Sequence, residues 1–230
     1  MTIYNYYSLN EAHKARGVVV VIDVLRAFTT AAHAFDVGAD KIYPVATIDE
    51  AFNLRQSIPW ALIMGEDLGN KVGGFDFGNS PAEISNQNLD GKILIQRTTA
   101  GTQGIVQVQG ADQLLAASFV VASATGNFIQ TLKPSLVSFV VTGDSYGRDG
   151  DEDRACGEYI EALIKGMYPN PDKFSNRVKS SSVGMTVSAG EIATVSANDL
   201  ELSIQINKFD FYMPVIFDDG ALIIIKGEQK

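Results

Sequence analysis

The chain has 230 residues, of which 46% are hydrophobic and 20% charged, and its formal net charge at pH 7 is −9. This length and composition predict one globular domain over residues 1–230. The negative charge argues against binding of nucleic acid or an anionic membrane, because both are negatively charged themselves. The single cysteine, Cys156, excludes an internal disulfide. No stretch has the pattern of a signal peptide or a membrane span, so we expect a cytoplasmic protein.

The first informative element is an apolar run at residues 18–22, VVVVI, which predicts a buried strand. Asp23 and Arg26 follow it at once and enter a helical segment that Gly38 closes. Parallel α/β folds place their chemistry where a strand feeds a helix, because free N–H groups and the helix dipole point there. In the simpler alternative, Asp23 is only a helix cap, and Arg26 is a surface charge or the partner of Asp23.

Strand and helix signals then alternate along the chain. Further apolar runs of strand length lie at residues 41–45, 61–64, 92–95, 114–121 and 136–141. A capping box from Thr47 to Glu50 starts a helix that should stop near Pro59, and Ser80 with Pro81 starts another. This alternation predicts a three-layer α/β/α fold with a mostly parallel sheet.

The last third of the sequence has a different pattern. Residues 151–167 have the apolar spacing of an amphipathic helix that begins in an acidic turn. Residues 213–217 and 221–226 flank a turn around Gly220, which predicts an antiparallel hairpin at an edge of the sheet.

Four loops are richer in polar residues and glycine than a simple connection requires. The first carries Asp23 and Arg26, and the second, residues 65–81, adds the oxygen ligands Glu66 and Asp76. Because the carboxyl ends of parallel strands meet at one edge, we expect all four loops to converge. The second loop could alternatively be an Ω-loop that binds nothing.

The third loop, residues 97–102, offers hydroxyl and free N–H groups to an anion, although its threonines could equally be helix caps. The fourth loop, residues 143–153, places Arg148 among several acids and ends at Asp153. Its acids could simply form a solvated helix start.

Carboxylates, hydroxyls and arginine together suit a phosphate and Mg²⁺, because the acids hold the metal and the metal offsets the phosphate charge. Asp23 is then either a Mg²⁺ ligand or the group that attacks phosphorus, with Glu66 and Asp76 as further metal ligands. Arg26 neutralises the transferring oxygens, and Asp153 is the general acid or base. The expected substrate-binding residues are Asn79, Ser80, Thr98, Thr99, Gly101, Thr102 and Arg148.

Several other reaction classes lack their residues. The two histidines, His13 and His33, support neither a Ser-His-acid triad nor a two-histidine metal motif. Cys156 has no arginine six residues later, as a cysteine-phosphatase loop requires. No P-loop or dinucleotide motif occurs. Leu25 stands where haloacid dehalogenase phosphatases carry a second acid.

Five blocks, in this order, resemble the 2-phosphosulfolactate phosphatase family. They are VIDVLRA at 21–27 with Thr29 and Thr30, Gly65-Glu66, GFDFGNSP at 74–81, TTAGT at 98–102, and Glu152-Asp153 with Cys156. The resemblance implies a Mg²⁺-dependent acid phosphatase that converts (2R)-2-phospho-3-sulfolactate to 3-sulfolactate and phosphate, a step of coenzyme M biosynthesis in methanogens. It also implies an α/β/α fold and a homo-oligomer, for which we expect a homodimer.

The sequence departs from the family pattern at two donors. Asp67 stands where the family has arginine in Gly-Glu-Arg, and Ala100 stands where it has asparagine in Asn-Gly-Thr. The acidic loop before Cys156 is also shorter. Fewer donors for a doubly anionic organic group leave open which phosphorylated acid is the substrate. They also leave open a non-catalytic anion-binding or sensing protein, or a metal-dependent lyase or phosphoryl transferase on the same scaffold.

Overall fold

The structure is a computed structural model that describes residues 1–145, 147–190 and 194–228. Tyr146, within the fourth loop, therefore lies outside the described residues. The strands are β1 Ile3–Ser8, β2 Gly17–Ile22, β3 Lys41–Val45, β4 Leu62–Gly65, β5 Ile93–Arg97, β6 Ala111–Ala117, β7 Leu136–Val141, β8 Phe211–Asp218, β9 Ala221–Ile225 and β10 Gly227–Glu228. The helices are α1 Ala27–Asp36, α2 Ile48–Ser57, α3 Pro81–Ile84, α4 Gly101–Gln107, α5 Ala122–Leu132, α6 Asp151–Ile164, α7 Pro171–Ser180, α8 Ser182–Ser188 and α9 Ala197–Ser203.

These strands form one mixed sheet in the order β1-β7-β2-β6-β8-β9-β3-β5-β4, with β10 paired to β8. The strands β1, β7, β2 and β6 are parallel to one another, and so are β3, β5 and β4. The predicted hairpin, β8 and β9, exists, but it joins these two groups and does not lie at an edge. Its inward residues Met213, Val215 and Ile224 are buried, as a central position requires.

The two groups of strands run in opposite nominal directions, because three antiparallel pairings separate β6 from β3. Sheets twist by about 20–25° from strand to strand. Over the five steps from β2 to β5, a twist of this ordinary size would add up to about 100° and turn the end of β5 towards the end of β2. The sheet is mixed, so the loops do not lie along the uniformly parallel edge that the sequence suggested.

The layers follow from the alternation of side chains along β2. Val19 and Val21 pack with α1 and the hairpin in one hydrophobic cluster. Val18, Val20 and Ile22 pack on the other face with residues of α5 and α6. Helices cover both faces, so the three-layer α/β/α prediction with a mostly parallel sheet and a C-terminal hairpin is confirmed.

Local signals agree with the structure in most elements. The capping box of α2 is present: the Thr47 hydroxyl accepts from the Glu50 N–H at 3.1 Å, and the Glu50 carboxylate accepts from the Thr47 N–H at 3.3 Å. The run at 114–121 divides into β6 and a 3₁₀ turn at Phe119–Val121, and α6 ends at Ile164. Strand β1 was not predicted from the sequence. None of the helices that the structure describes is long and apolar enough to cross a membrane.

Candidate active site

A cavity of about 300 Å³ lies where the loops after β2, β4, β5 and β7 meet. Seven of the predicted site residues line it: Asp23, Arg26, Glu66, Asn79, Thr99, Arg148 and Asp153. The other predicted residues, Asp76, Ser80, Thr98, Gly101 and Thr102, are not among the residues that line the cavity.

Asp23 is buried at the start of α1, where its Oδ1 accepts a hydrogen bond from the Ala27 N–H at 2.9 Å. It thus satisfies the N–H of the first residue of α1 and also faces the cavity. Burial raises the pKa of Asp23 above its usual range and the Glu66 charge adds to this rise, although the Ala27 N–H and Arg148 oppose it. Gly101 permits the contact with α4, because a Cβ there would lie 2.7 Å from Asp23 Oδ2.

Asp153 lies in the first turn of α6 and ties two loops together. Its Oδ1 accepts from the Val24 N–H and its Oδ2 from the Gly143 N–H, both at 2.7 Å. Burial, followed by the charges of Glu152 and Asp23, raises the pKa of Asp153 well above its usual range. These two hydrogen bonds from backbone N–H groups hold the ends of β2 and β7 next to each other.

Glu152 is a cavity residue to which the sequence analysis gave no role. Burial raises its pKa to about 7, and the charges of Asp23 and Asp149 contribute, while Arg148 lowers it. The available signal was its place beside Asp153 in the acidic start of α6.

Glu66 joins the loops after β4 and β5. Its Oε1 accepts from the Thr99 N–H at 2.6 Å, and its Oε2 accepts from the Gly69 N–H at 2.6 Å and the Thr99 hydroxyl at 2.8 Å. Thr99 therefore reaches the cavity as a partner of this carboxylate. Next to it, Asp67 accepts from Arg97 at 2.7 Å, so the unexpected acid engages an arginine of β5.

The residues that do not reach the cavity have local partners. Thr98 and Thr102 bond reciprocally at the start of α4, with Thr98 N–H donating to the Thr102 hydroxyl at 2.9 Å and Thr102 N–H to the Thr98 hydroxyl at 3.0 Å. The Thr98 hydroxyl thus satisfies one free N–H of the first turn, in the way the helix-cap alternative expects, although the N-cap residue itself is Ala100. Asp76 accepts from the Ile63 N–H at 2.7 Å and from Arg55 at 3.0 Å, and it is partly exposed. The structure therefore does not place Asp76 with the other candidate metal ligands.

Arg26 does not pair with Asp23. Its Nη1 donates to the Thr194 carbonyl at 2.8 Å and to Asp199 Oδ2 at 3.0 Å. Asp199 also accepts from the Ser80 hydroxyl at 2.6 Å, which takes Ser80 away from a direct substrate-binding role. No sequence pattern around Asp199 predicted a part for it in the site.

The donors near Asp23 fit a magnesium ion in their chemistry. Within residues 1–145, 147–190 and 194–228, no three His, Cys, Asp or Glu side chains form a group that could hold a metal alone. Mg²⁺, however, is usually bound by one or two carboxylates, with water and substrate phosphate completing its shell. Asp23 and Glu66 both line the cavity, and the Glu66 charge raises the pKa of Asp23, a repulsion that a cation would relieve.

Two further residues with reactive side chains, His33 and Cys156, do not line the cavity. His33 is buried in α1 and packs edge-on against Phe209, with ring centroids 5.1 Å apart. Burial, helped by the Asp153 charge, raises the pKa of the Cys156 thiol well above its usual range. Both side chains are buried, and neither lines the cavity.

Buried acids and two arginines around one cavity are the groups that enzymes of phosphoryl chemistry use. A family model described as 2-phosphosulpholactate phosphatase matches residues 4–211. The chain belongs to this family of phosphoric monoester hydrolases.

Three relatives illustrate the similarity, and each is named probable 2-phosphosulfolactate phosphatase. The Bacillus subtilis protein is 36% identical over 80% of this chain and 80% of its own length. The Carboxydothermus hydrogenoformans protein is 44% identical over 64% of this chain and 60% of its own. The Thermosynechococcus vestitus protein is 35% identical over 74% and 71%, respectively.

Proposed function

We propose that the chain is a Mg²⁺-dependent phosphatase that hydrolyses 2-phospho-3-sulfolactate, or a closely related phosphorylated hydroxy acid, to the hydroxy acid and phosphate. The names of the family and of the relatives support the reaction. The observation that carries the proposal is one cavity that unites the buried carboxylates Asp23, Glu152 and Asp153 with Arg26 and Arg148.

The two arginines would bind the phosphoryl group. Arg148 is exposed at the rim of the cavity, whereas Arg26 is buried and fixed by Asp199 and the Thr194 carbonyl. A guanidinium that is already held in place can stabilise the charge on transferring oxygens without reorganisation.

Asp23 and Glu66 would hold Mg²⁺, which when bound offsets phosphate charge and polarises the phosphoryl group. Attack by Asp23 itself is the remaining alternative, and trapping a phosphorylated enzyme by mass spectrometry tests it. Because Asp76 pairs with Arg55 outside the cavity, we do not retain it as a ligand.

Glu152 is our proposed proton-transfer group. A pKa of about 7 suits a residue that takes a proton from attacking water or gives one to the leaving oxygen at neutral pH. Asp153, for which we expected this role, accepts a backbone N–H bond on each of its oxygens. We therefore propose that Asp153 positions the two loops.

The organic part of the substrate would contact the rest of the wall. Leu25, Leu68, Val183 and Val195 form its apolar portion. The buried Oδ1 of Asn79 forms no hydrogen bond with the described residues, so the Asn79 amide is available to substrate or water.

Phosphate release tests the proposal, measured with 2-phospho-3-sulfolactate and a panel of phosphorylated hydroxy acids, in Mg²⁺ and in EDTA. Asp23→Asn should lower kcat/KM by about 100-fold or more, whereas Asp112→Asn, an exposed change at the start of β6, should leave it unchanged. Undiminished activity of Asp23→Asn would remove Asp23 from the chemistry.

Two other outcomes would support the alternatives that the sequence left open. Thermal stabilisation by phosphorylated acids, with no turnover at any metal concentration, would favour an anion-binding or sensing protein. Products other than the hydroxy acid and phosphate would favour a lyase or a phosphoryl transferase.

We also propose a cytoplasmic homodimer. The support is the single cysteine and the family resemblance. Light scattering after size-exclusion chromatography tests the oligomeric state.

A further inference from the structure

Asp199, in the first turn of α9, joins three parts of the chain at one buried point. Its Oδ2 accepts from Arg26 Nη1 at 3.0 Å and from the Ser196 N–H at 2.9 Å. Its Oδ1 accepts from the Ser80 hydroxyl at 2.6 Å and the Ala82 N–H at 3.1 Å. One carboxylate thus contacts the loop after β2, the start of α3 and the segment before α9.

This ion pair differs from the others of the described residues. Only here are both side chains less than a tenth exposed, with 5% for Arg26 and 2% for Asp199. Burial acts to raise the pKa of Asp199, but the bonds from Ser80, Ser196 and Ala82 and the charge of Arg26 hold it below its usual range. The carboxylate is therefore a fixed negative charge.

Arg26 needs such a partner because of where it lies. It shares the cavity with four carboxylates, those of Asp23, Glu66, Glu152 and Asp153. A long guanidinium without a fixed partner would turn towards these acids, where it would neutralise them and leave the position from which it can meet a phosphate. Asp199, which does not line the cavity, pairs with the Arg26 guanidinium at 3.0 Å.

We propose that Asp199 is a positioning residue for phosphoryl transfer: it holds Arg26 towards the phosphate and, through Ser80, fixes the neighbouring Asn79 in the cavity wall. This inference rests on the proposed phosphatase function. It assigns the last third of the chain a part in the site.

The first test compares two carboxylates of the same helix. Asp199→Asn should lower kcat/KM for the phosphorylated substrate by about 10–100-fold, mostly through kcat, because Arg26 acts on charge that grows in the transition state. Asp199→Glu, which keeps the charge, should recover part of the loss. Glu201→Gln is the matched control: Glu201 pairs with Lys179 at 3.2 Å on the surface and should not change the rate.

A double-mutant cycle separates positioning from a merely structural role. In an Arg26→Ala background, Asp199→Asn should reduce kcat/KM by less than about 2-fold, because its route to the substrate is already gone. Ser80→Ala, which removes one hydrogen bond of Asp199 together with the N-cap bond of α3, serves the same cycle if Asp199→Asn does not fold. Wild-type activity of Asp199→Asn, or an unchanged further loss in the Arg26→Ala background, would overturn the proposal.

Binding of inorganic phosphate gives a reading that does not need turnover. In calorimetric titration, Asp199→Asn should bind inorganic phosphate at least about 3-fold more weakly than Glu201→Gln. Equal affinities would count against Asp199. An inactive wild-type protein that still shows this difference would contradict the phosphatase function while leaving the positioning of Arg26 supported.

Discussion

One buried carboxylate of this protein, Asp199, and a group of three others behave in opposite ways. Asp199 is surrounded by donors and a guanidinium, and its pKa lies below its usual range despite burial. The acids Asp23, Glu152 and Asp153 are equally buried, but they face one another, and the pKa of each is raised. Burial acts in the same direction on both groups, so the neighbours decide the result. The charge of Asp199 is balanced within the protein and fixes structure. The three acids of the cavity lack such a balance and can bind a cation or a proton.

The largest effect on stability should follow from breaking the buried ion pair of Arg26 and Asp199. Asp199→Ala should lower the free energy of unfolding by about 3–5 kcal/mol, because Arg26 would stay buried without its counter-charge. Urea denaturation measures this. Glu201→Ala, on the surface of the same helix, should cost about 1 kcal/mol or less. Equal losses in the two variants would show that the buried pair has no special weight.

Neutralising an acid of the cavity should change the free energy of unfolding in the opposite direction. Glu152→Gln should raise the free energy of unfolding at pH 8 in EDTA by about 1–3 kcal/mol, because the folded protein no longer buries an ionised carboxylate, which also faces the charges of Asp23 and Asp149. The same change should lower kcat/KM by about 100-fold. A destabilised but active variant would contradict both expectations.

The pH dependence of stability sharpens the same contrast. The pKa of Glu152 is about 7 in the folded protein against 4.5 as its ordinary value, so the folded state binds the proton more tightly than the unfolded state. The stabilisation from this proton is full below pH about 4.5 and is lost as the pH rises through about 7.

Melting temperatures without divalent cations measure this loss. Relative to Glu152→Gln, the wild-type value should fall by roughly 3–10 °C across that interval. Added Mg²⁺ at pH 8 should narrow the gap, because it supplies the missing positive charge. A constant difference from pH 4 to 8 would show that Glu152 titrates normally.

The smallest effect should come from a predicted ligand that the cavity excludes. Asp76→Asn should leave kcat/KM and its dependence on Mg²⁺ within about 2-fold, and it should cost about 1 kcal/mol or less, because the Arg55 pair is partly exposed. Titrating activity against Mg²⁺ checks this. A clear rise in the Mg²⁺ requirement would restore Asp76 to the metal site.

Much of the site was visible in the sequence because its signals are local. The run that ends at Asp23, the glycine-rich loop with Glu66 and the acidic start of α6 each combine a strand end or a helix start with a charged side chain. Whether a threonine caps a helix or faces a ligand depends on the direction of its side chain, and adjacent threonines have the same sequence context. Thr98 and Thr99 therefore could not be told apart.

The rest could not be predicted because it depends on distant parts of the chain. Arg26 and Asp199 are 173 residues apart, and neither has a local pattern that identifies its partner. The hairpin pattern likewise predicts two paired strands without saying which strands lie beside them. Its central place required the pairings of β8 with β6 and of β9 with β3.

That central hairpin has a consequence for biosynthesis. In the described residues, β8 and β9 provide the strand pairing that joins the group containing β2 to the group containing β4 and β5. A nascent chain on the ribosome that has not yet released residues 211–225 can form both groups but cannot connect them by backbone hydrogen bonds. Asp23 belongs to one group and Glu66 and Thr99 to the other. The hairpin, which is translated after the strands of both groups, therefore completes the sheet that brings these residues together.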